Sequence, residues 1–596
     1  MTLPASPTPA SYAPLNLGAC LKTAARIGVL GAAAGLVVGA AGQGIVARFG
    51  TGADTAGPTW SQRLLGVAIT ASILGALLFF VAAIALVLTR RARRTRRRWA
   101  AIVPITLLTT LVLALHAVGV TLHVLLGSHL TSSGLAFFLN SKGHIAGAVG
   151  AQYLGYLVPL IVLCLAAATG LAWLARRALE IDPSRVRTAE VAGCLCMTGL
   201  AGFAAAAPAR TPMGPAIART SPEVALFASV SSNDGPGPLL MESSALIREA
   251  LDSPPRSQID SWNEVARGAA PRANVIVITL ESVAISHIGY LGYPRRVTPN
   301  LDRMAEKSLR MTHAYTTATH SNYAQMAVIS SLFPRRGTTL DMYQRLDYPR
   351  VLLHDLGYSL GYTTGTISSQ DETWQGMKRF QETGTPTYFR HAPDHQGDHL
   401  DLVTEDVAPD DATIDHAIGW IGAKKGEPFS LYINLQSTHF PYPIPAAAPH
   451  PFQPYEPKGT FNYVRWEQDD KPVILNRYDN ALHYVDAQIG RLYDSLAAAG
   501  ILDDTIIVVT SDHGELFFEH ELVTHGRTLL EGESRVPLLV HYPAALDPGD
   551  DPTPVSTLDV LPTVVDLLGL PPHPAHQGES FAHLREDGPD SKESAV

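Results

Sequence analysis

Residues 64–89 form a run of 26 residues without one charged side chain, and this run constrains the fold more than any other feature. A helix needs roughly 20 mostly apolar residues to cross a bilayer, and only helices and closed barrels satisfy their own backbone in lipid. Four more apolar runs accompany it, at about 27–47, 100–127, 153–175 and 191–207, the last short and Ala-rich. Read as core helices of a water-soluble domain, they lack nearby polar segments to cover them. A cleaved leader accounts for one run only. Residues 1–208 therefore read as an integral membrane domain of about five helices. Their content explains why only 17% of the whole chain is charged.

The arginines orient these spans. Thr89-Arg-Arg-Ala-Arg-Arg-Thr-Arg-Arg-Arg98 lies between the second and third runs, and Arg176, Arg177, Arg185 and Arg187 lie between the fourth and fifth. Short loops rich in Lys and Arg stay in the cytoplasm. With five spans the N-terminus is then cytoplasmic, and everything after residue 208 lies outside. Placed between two spans, the Arg run reads as a topology signal, so no nucleic-acid partner is expected. All four cysteines, Cys20, Cys164, Cys194 and Cys196, precede residue 208, so the outer part has no disulfides although its compartment permits them. Cys194 and Cys196 have no His or Asp nearby and read as packing residues. His116 and His123 share one face of the third span and are candidates for contact with a headgroup or a helix. Residues 209–270 read as a linker with a juxtamembrane helix around 238–252. Leu135-Ala-Phe-Phe-Leu139 reads as an interfacial segment, and residues 586–596 as a disordered tail.

The second half follows a different pattern. Thr505-Ile-Ile-Val-Val-Thr510 is too short for a helix and reads as a buried parallel strand. Asp512, His513, Gly514 and Glu515 follow it, where open α/β sheets place their ligands. Asp and His form a mixed oxygen and nitrogen pair suited to a divalent metal. Val275-Ile-Val-Ile-Thr-Leu280 ends on Glu281. Leu431-Tyr-Ile-Asn-Leu435 is followed by His439, and Gly365-Thr-Ile367 by Asp371. Four strand-like runs thus carry a ligand-type or acid/base side chain at the same end.

Residues 271–585 resemble the sulfatase-like catalytic domain of the alkaline phosphatase superfamily. The segments that carry the resemblance are Asn274-Val-Ile-Val-Ile-Thr-Leu-Glu-Ser282, Thr298-Pro-Asn-Leu-Asp302 and Arg477-Tyr-Asp-Asn-Ala481, with Tyr484, Asp486 and Gly490. Ser511-Asp-His-Gly-Glu515, Glu533-Ser-Arg-Val-Pro-Leu-Leu539 and Ser556-Thr-Leu-Asp-Val-Leu-Pro-Thr563 continue it. The implied architecture is an α-helical membrane domain followed by an extracytoplasmic α/β sulfatase-like domain.

The resemblance implies a divalent metal ion (Mn²⁺, Mg²⁺ or Zn²⁺) held by Glu281, Asp512, His513 and the nucleophile's hydroxyl. A single carboxylate at Glu281-Ser282, where formylglycine sulfatases have two Asp residues, resembles the lipoteichoic-acid synthase and phosphoethanolamine-transferase branches. The nucleophile lies within Thr316-Thr-Ala-Thr-His-Ser-Asn-Tyr-Ala-Gln325, at a helix start where backbone N–H groups favour an anion. Counting back thirteen residues from Pro334, the sulfatase and lipoteichoic-acid synthase register, selects Ser321. The phosphoethanolamine-transferase register selects Thr319. The Pro and Arg of the formylglycine motif are absent after Ser321, which points away from formylglycine.

Asp371 and Trp374 match headgroup-contacting residues of lipoteichoic-acid synthases. His439 and His525 match substrate-binding histidines that can also protonate a leaving group. Gly514, Gly526 and Pro537 read as geometric residues, and Arg535 as an ion pair within the fold. The resemblance implies a multi-pass, bacterial-type plasma-membrane transferase. Through a Ser/Thr phospho-enzyme it moves a phospho-headgroup from a membrane phospholipid donor to an envelope glycan or lipid acceptor. The headgroup is phosphoglycerol or phosphoethanolamine. The absence of outer cysteines favours phosphoglycerol, because phosphoethanolamine transferases usually carry disulfides there. The alternative is a membrane-tethered phosphodiesterase or sulfatase.

Overall fold

The computed structural model describes residues 15–49, 60–126 apart from 92 and 93, 154–180, parts of 186–201, 256–269, and, with short gaps, 273–334 and 350–582. The chain divides into two compact units near residue 235. The expected helix at 238–252, the segment Leu135–Leu139 and the tail from 586 lie outside the described residues.

The first unit holds α1 (Leu17–Phe49), α2 (Trp60–Leu88), α3 (Arg94–Leu126) and α4 (Leu154–Ala178). Among the described residues, Leu17–Ala41, Leu64–Leu88 and Arg98–Ala117 are long and apolar enough to cross a membrane. The fourth apolar run of the sequence lies in α4. The fifth is helical over residues 190–196, and most of its remainder lies outside the described residues. Helices α1 and α2 pack through small residues, which let backbones approach closely in a membrane. A Cβ on Gly35 would stand 2.7 Å from the Cα of Ala71.

Polar contacts gather at the ends of the apolar runs. Arg26 forks onto Glu190 through two 2.8 Å bonds, and Arg98 lies 3.4 Å from Glu180. Each of these residues sits within a few positions of a run's end. The starts of the first, third and fifth runs and the close of the fourth therefore share one end of this unit.

The second unit is an α/β domain built on a nine-stranded mixed sheet. Its strands are β1 (Asn274–Leu280), β2 (Leu309–Tyr315), β3 (Thr363–Ser368), β4 (Tyr388–Arg390), β5 (Phe429–Leu435), β6 (Thr505–Ser511), β7 (Arg535–His541), β8 (Gly549–Asp551) and β9 (Val555–Ser556). The order is β8-β2-β7-β6-β1-β5-β3-β4, with β9 beside β2. Strands β6, β1, β5, β3 and β4 run parallel, while β7 is antiparallel to both β6 and β2.

Every residue of β1, β5 and β6 is buried. That is why these strands read as continuous apolar runs and not as alternating ones. Ile276 and Ile278 face one core with Ile414 of α7 (Asp410–Gly422) and Val485 of α8 (Lys471–Ala498). Val275 and Val277 face the other core with Val328 of α6 (Ser321–Ser330) and Val564 of α9 (Val560–Leu567). Trp262 and Ala266 of α5 (Arg256–Ala269) pack into that second core. The compact domain thus takes in the last part of the segment read as linker. Because β6, β1, β5 and β3 are parallel neighbours, their carboxyl ends line up along one edge, and the site forms there.

Candidate active site

Two tight turns bring the site together. Past β1, Glu281 donates its N–H to Leu435 O at 3.0 Å, and past β6, Asp512 donates to Leu280 O at 3.1 Å. Ser511 Oγ accepts from Val283 N and donates to Leu280 O, locking the two turns to each other. Ser282 adopts φ 54°, an uncommon state for a non-glycine residue and one that gathers at functional sites. Gly514 permits close approach, since a Cβ there would lie 2.1 Å from Gly532 O.

Glu281, Asp512 and His513 are fully buried, and one donor atom from each lies within 4.8 Å of the others. The Ser321 hydroxyl, at the first residue of α6, donates to Glu281 Oε1 at 2.8 Å and lies 3.2 Å from His513 Nε2. His513 Nδ1 donates to Gly514 O at 2.9 Å, which fixes the ring and turns Nε2 toward the carboxylates.

Burial, with the Glu281 charge beside it, pushes the Asp512 carboxyl up to about 8. Burial disfavours a charged His513, but Asp512 and Glu281 outweigh it and raise its pKa to about 10. Two buried carboxylates thus demand positive charge at this point. Two carboxylate oxygens, an imidazole nitrogen and a hydroxyl are the donor set of a four-coordinate divalent ion, so the residues fit a metal ion. A second group, Glu281, His439 and His525, also brings its donor atoms within 4.8 Å.

The other expected residues fall at different distances from this centre. Thr319 donates its hydroxyl to Thr528 O at 2.9 Å, away from the carboxylates. His525 lies with its ring 4.2 Å from that of His513, and its Nδ1 is 3.1 Å from Glu515 Oε2 and 3.3 Å from Ser282 Oγ. His439 donates Nδ1–H to Phe440 O at 2.7 Å, and its ring is 5.6 Å from that of His525.

Trp374 stacks on His320, ring centres 5.5 Å apart and planes 3° from parallel, directly before Ser321. Burial, and then the charge of His513, lower His320 to about 4, so this wall of the site is neutral. Asp371 is less free than the sequence implies: its Oδ1 accepts from Thr373 N and Oγ1 at 3.0 and 2.8 Å. Burial works against its ionisation, yet bonds from His391 and Thr373 hold it down to about 2. The Arg535 guanidinium donates to Thr312 O and lies 3.7 Å from Glu531, as a residue internal to the fold.

The site also contains residues that sequence reasoning did not select. Gln325 Nε2 donates to Glu281 Oε2 at 2.9 Å and to Asp512 Oδ2 at 3.1 Å. Gln436 Nε2 donates to the same Glu281 Oε2 at 3.0 Å. Asn434 Nδ2 lies 3.2 Å from Gln325 Oε1 and 3.2 Å from Glu372 Oε1, extending a buried amide network. The available signals were weak. Gln325 is one helical turn past Ser321, and Gln436 is the first residue past β5.

A family model described as Sulfatase matches residues 273–570. Arylsulfatase K of Danio rerio is 29% identical over 298 residues, 42% of this chain and 54% of that protein. The ulvan-active sulfatase of Formosa agariphila is 22% identical over 338 residues, 52% of this chain and 65% of that protein. The chain therefore spans about half to two thirds of the length of these curated relatives. Among solved structures, the integral membrane protein lipooligosaccharide phosphoethanolamine transferase A of Neisseria meningitidis superposes with a TM-score of 0.54. The match is 15% identical and covers 94% of this chain and 96% of that one. It shows a shared fold that takes in both the membrane helices and the α/β domain.

Proposed function

This chain belongs to the sulfatase family, and from that premise we propose that it is a membrane-bound, metal-dependent phosphotransferase that works through a Ser321 phospho-enzyme. The observation that carries this reading is the Ser321 hydroxyl at the start of α6, bonded to Glu281 Oε1 at 2.8 Å. Glu281, Asp512, His513 and Ser321 would hold the cation. When bound, a divalent ion there supplies a lowered hydroxyl pKa and neutralises charge on a phosphoryl oxygen.

Ser321 Oγ attacks the phosphorus of a phospholipid headgroup. The Oγ–P bond forms, the P–O bond to diacylglycerol breaks, and the proton given up by Ser321 Oγ is carried by His439 or His525 to the leaving alkoxide. The backbone N–H groups opening α6 favour the charge of the transferred group. The phospho-headgroup then passes to a hydroxyl of an envelope glycan or lipid acceptor, which restores Ser321. The Trp374–His320 stack walls the headgroup side of the site. The lack of cysteines beyond residue 208 favours phosphoglycerol over phosphoethanolamine as that headgroup.

Purified enzyme with metal and labelled phospholipids is expected to release diacylglycerol, seen by thin-layer analysis. No release from any phospholipid would overturn the assignment. The curated relatives are sulfatases, which keeps a hydrolase as the second reading. Turnover of an aryl sulfate at a rate comparable to an aryl phosphodiester would favour it.

The catalytic domain is proposed to face away from the cytoplasm. The Arg26–Glu190 and Arg98–Glu180 pairs support this by gathering run ends beside the Arg-rich loops at one end of the helical unit. Trypsin added outside spheroplasts is expected to cleave after residue 208 and spare Arg90–Arg98. Cleavage confined to that loop would reverse the orientation.

A further inference from the structure

Resting on the metal reading above, we propose that Gln325 is a positioning residue that closes Glu281 Oε2 and orients Asp512 Oδ2, so that each carboxylate meets the cation through one oxygen. It thereby sets both the affinity of the site and its preference for a small, four-coordinate cation. Gln325 is fully buried and lies four residues after Ser321, on the same face of α6. Its amide hydrogens are both spent on carboxylates, at 2.9 Å to Glu281 Oε2 and 3.1 Å to Asp512 Oδ2. Only a side-chain N–H₂ supplies two donors there, so the amide orientation follows from its neighbours. Asn434 Nδ2, 3.2 Å from Gln325 Oε1, holds the other end of the amide.

The consequence for each carboxylate follows atom by atom. Glu281 Oε2 accepts from Gln325 and Gln436 and is closed to a cation. Glu281 Oε1 stays turned toward Ser321 Oγ and His513 Nε2. Asp512 Oδ1 is closed by the backbone, accepting from Ser282 N and His513 N, which leaves Oδ2, accepting one bond from Gln325, to face the cation. One oxygen per carboxylate, one imidazole nitrogen and one hydroxyl make four ligands, which suits Zn²⁺. Larger hard cations take more oxygens and often both oxygens of a carboxylate.

The test is direct titration of metal-stripped, full-length enzyme with Zn²⁺ and with Mn²⁺ against a chromophoric chelator. Gln325→Leu is expected to weaken Zn²⁺ binding by about 10–100-fold, the range for residues that orient metal ligands, and to lower the Zn²⁺ to Mn²⁺ affinity ratio. Gln381→Leu is the control. Gln381 donates to Glu372 at 2.8 Å at the far end of the same buried network, so this change should lower thermal stability yet leave Zn²⁺ affinity within twofold. Should Gln325→Leu not fold, Gln436→Leu decides, because it opens the same Glu281 Oε2 and should weaken Zn²⁺ in the same direction. Wild-type affinity and ratio in a folded Gln325→Leu, or in Gln436→Leu when that variant decides, would overturn the inference and leave the metal reading intact. Absence of Zn²⁺ and Mn²⁺ binding by wild type would overturn the metal reading itself.

Discussion

Ser321→Ala is expected to lower turnover by on the order of 10⁴-fold or more, the scale seen when a covalent serine nucleophile is removed. Thr319→Ala should cost no more than about 10–100-fold, as for outer-shell partners of a metal site. The contrast follows from geometry. Ser321 Oγ lies within the carboxylate and imidazole cluster, at 2.8 Å from Glu281 Oε1 and 3.2 Å from His513 Nε2. The Thr319 hydroxyl is bonded instead to Thr528 O, so its loss loosens a loop. Ser321→Ala should also keep its fold and most of its metal, because Glu281, Asp512 and His513 remain. Melting curves and metal analysis check this beside the rate. An active Ser321→Ala with a dead Thr319→Ala would reverse the register.

Asp512→Asn is expected to strip the site of metal and to lower turnover by on the order of 10³-fold, although the side chain keeps its shape. The isostere fails in two ways. One negative charge facing the cation is lost. In addition, the Asn oxygen must stay at the Oδ1 position to accept from Ser282 N and His513 N. That orientation puts the new NH₂ where Oδ2 now accepts from Gln325 Nε2, donor against donor, and an unmade buried bond costs about 1–3 kcal/mol. Metal content after dialysis should fall below about a tenth of the wild-type value, on the outer-shell scale or beyond. Chelation of wild type should reproduce the loss, and added Zn²⁺, Mn²⁺ or Mg²⁺ should restore it. Full metal content in Asp512→Asn would contradict the assigned ligand set.

The strands that carry the site were legible because both of their faces are buried. Val275–Leu280, Leu431–Leu435 and Thr505–Thr510 are runs of β-branched and apolar residues for that reason, and the polar residue ending each run stands out. The family resemblance grouped Glu281, Asp512 and His513, and their place at the carboxyl ends of strand-like runs agreed with it. The antiparallel placing of β7 between β6 and β2 left no such trace, since strand direction is not written in a short apolar run. Nor did the amides. Gln325 and Gln436 meet Glu281 across 44 and 155 residues of chain, and nothing local distinguishes them from helix or loop glutamines. The strained turn at Ser282 was hidden likewise, because a serine in a left-handed conformation looks like any serine. At Asp371 only the position was legible in the sequence: that its Oδ1 is bonded within its own turn is visible in the structure alone.

The central claim is a covalent intermediate on Ser321, and the most direct measurement is mass spectrometry of enzyme quenched during turnover of phospholipid without acceptor. Fragmentation of the peptide that contains Thr316–Gln325 should place a phospho-headgroup on Ser321, and the adduct should disappear when acceptor is added. An adduct on Thr319, or steady turnover with the peptide unmodified throughout, would contradict it.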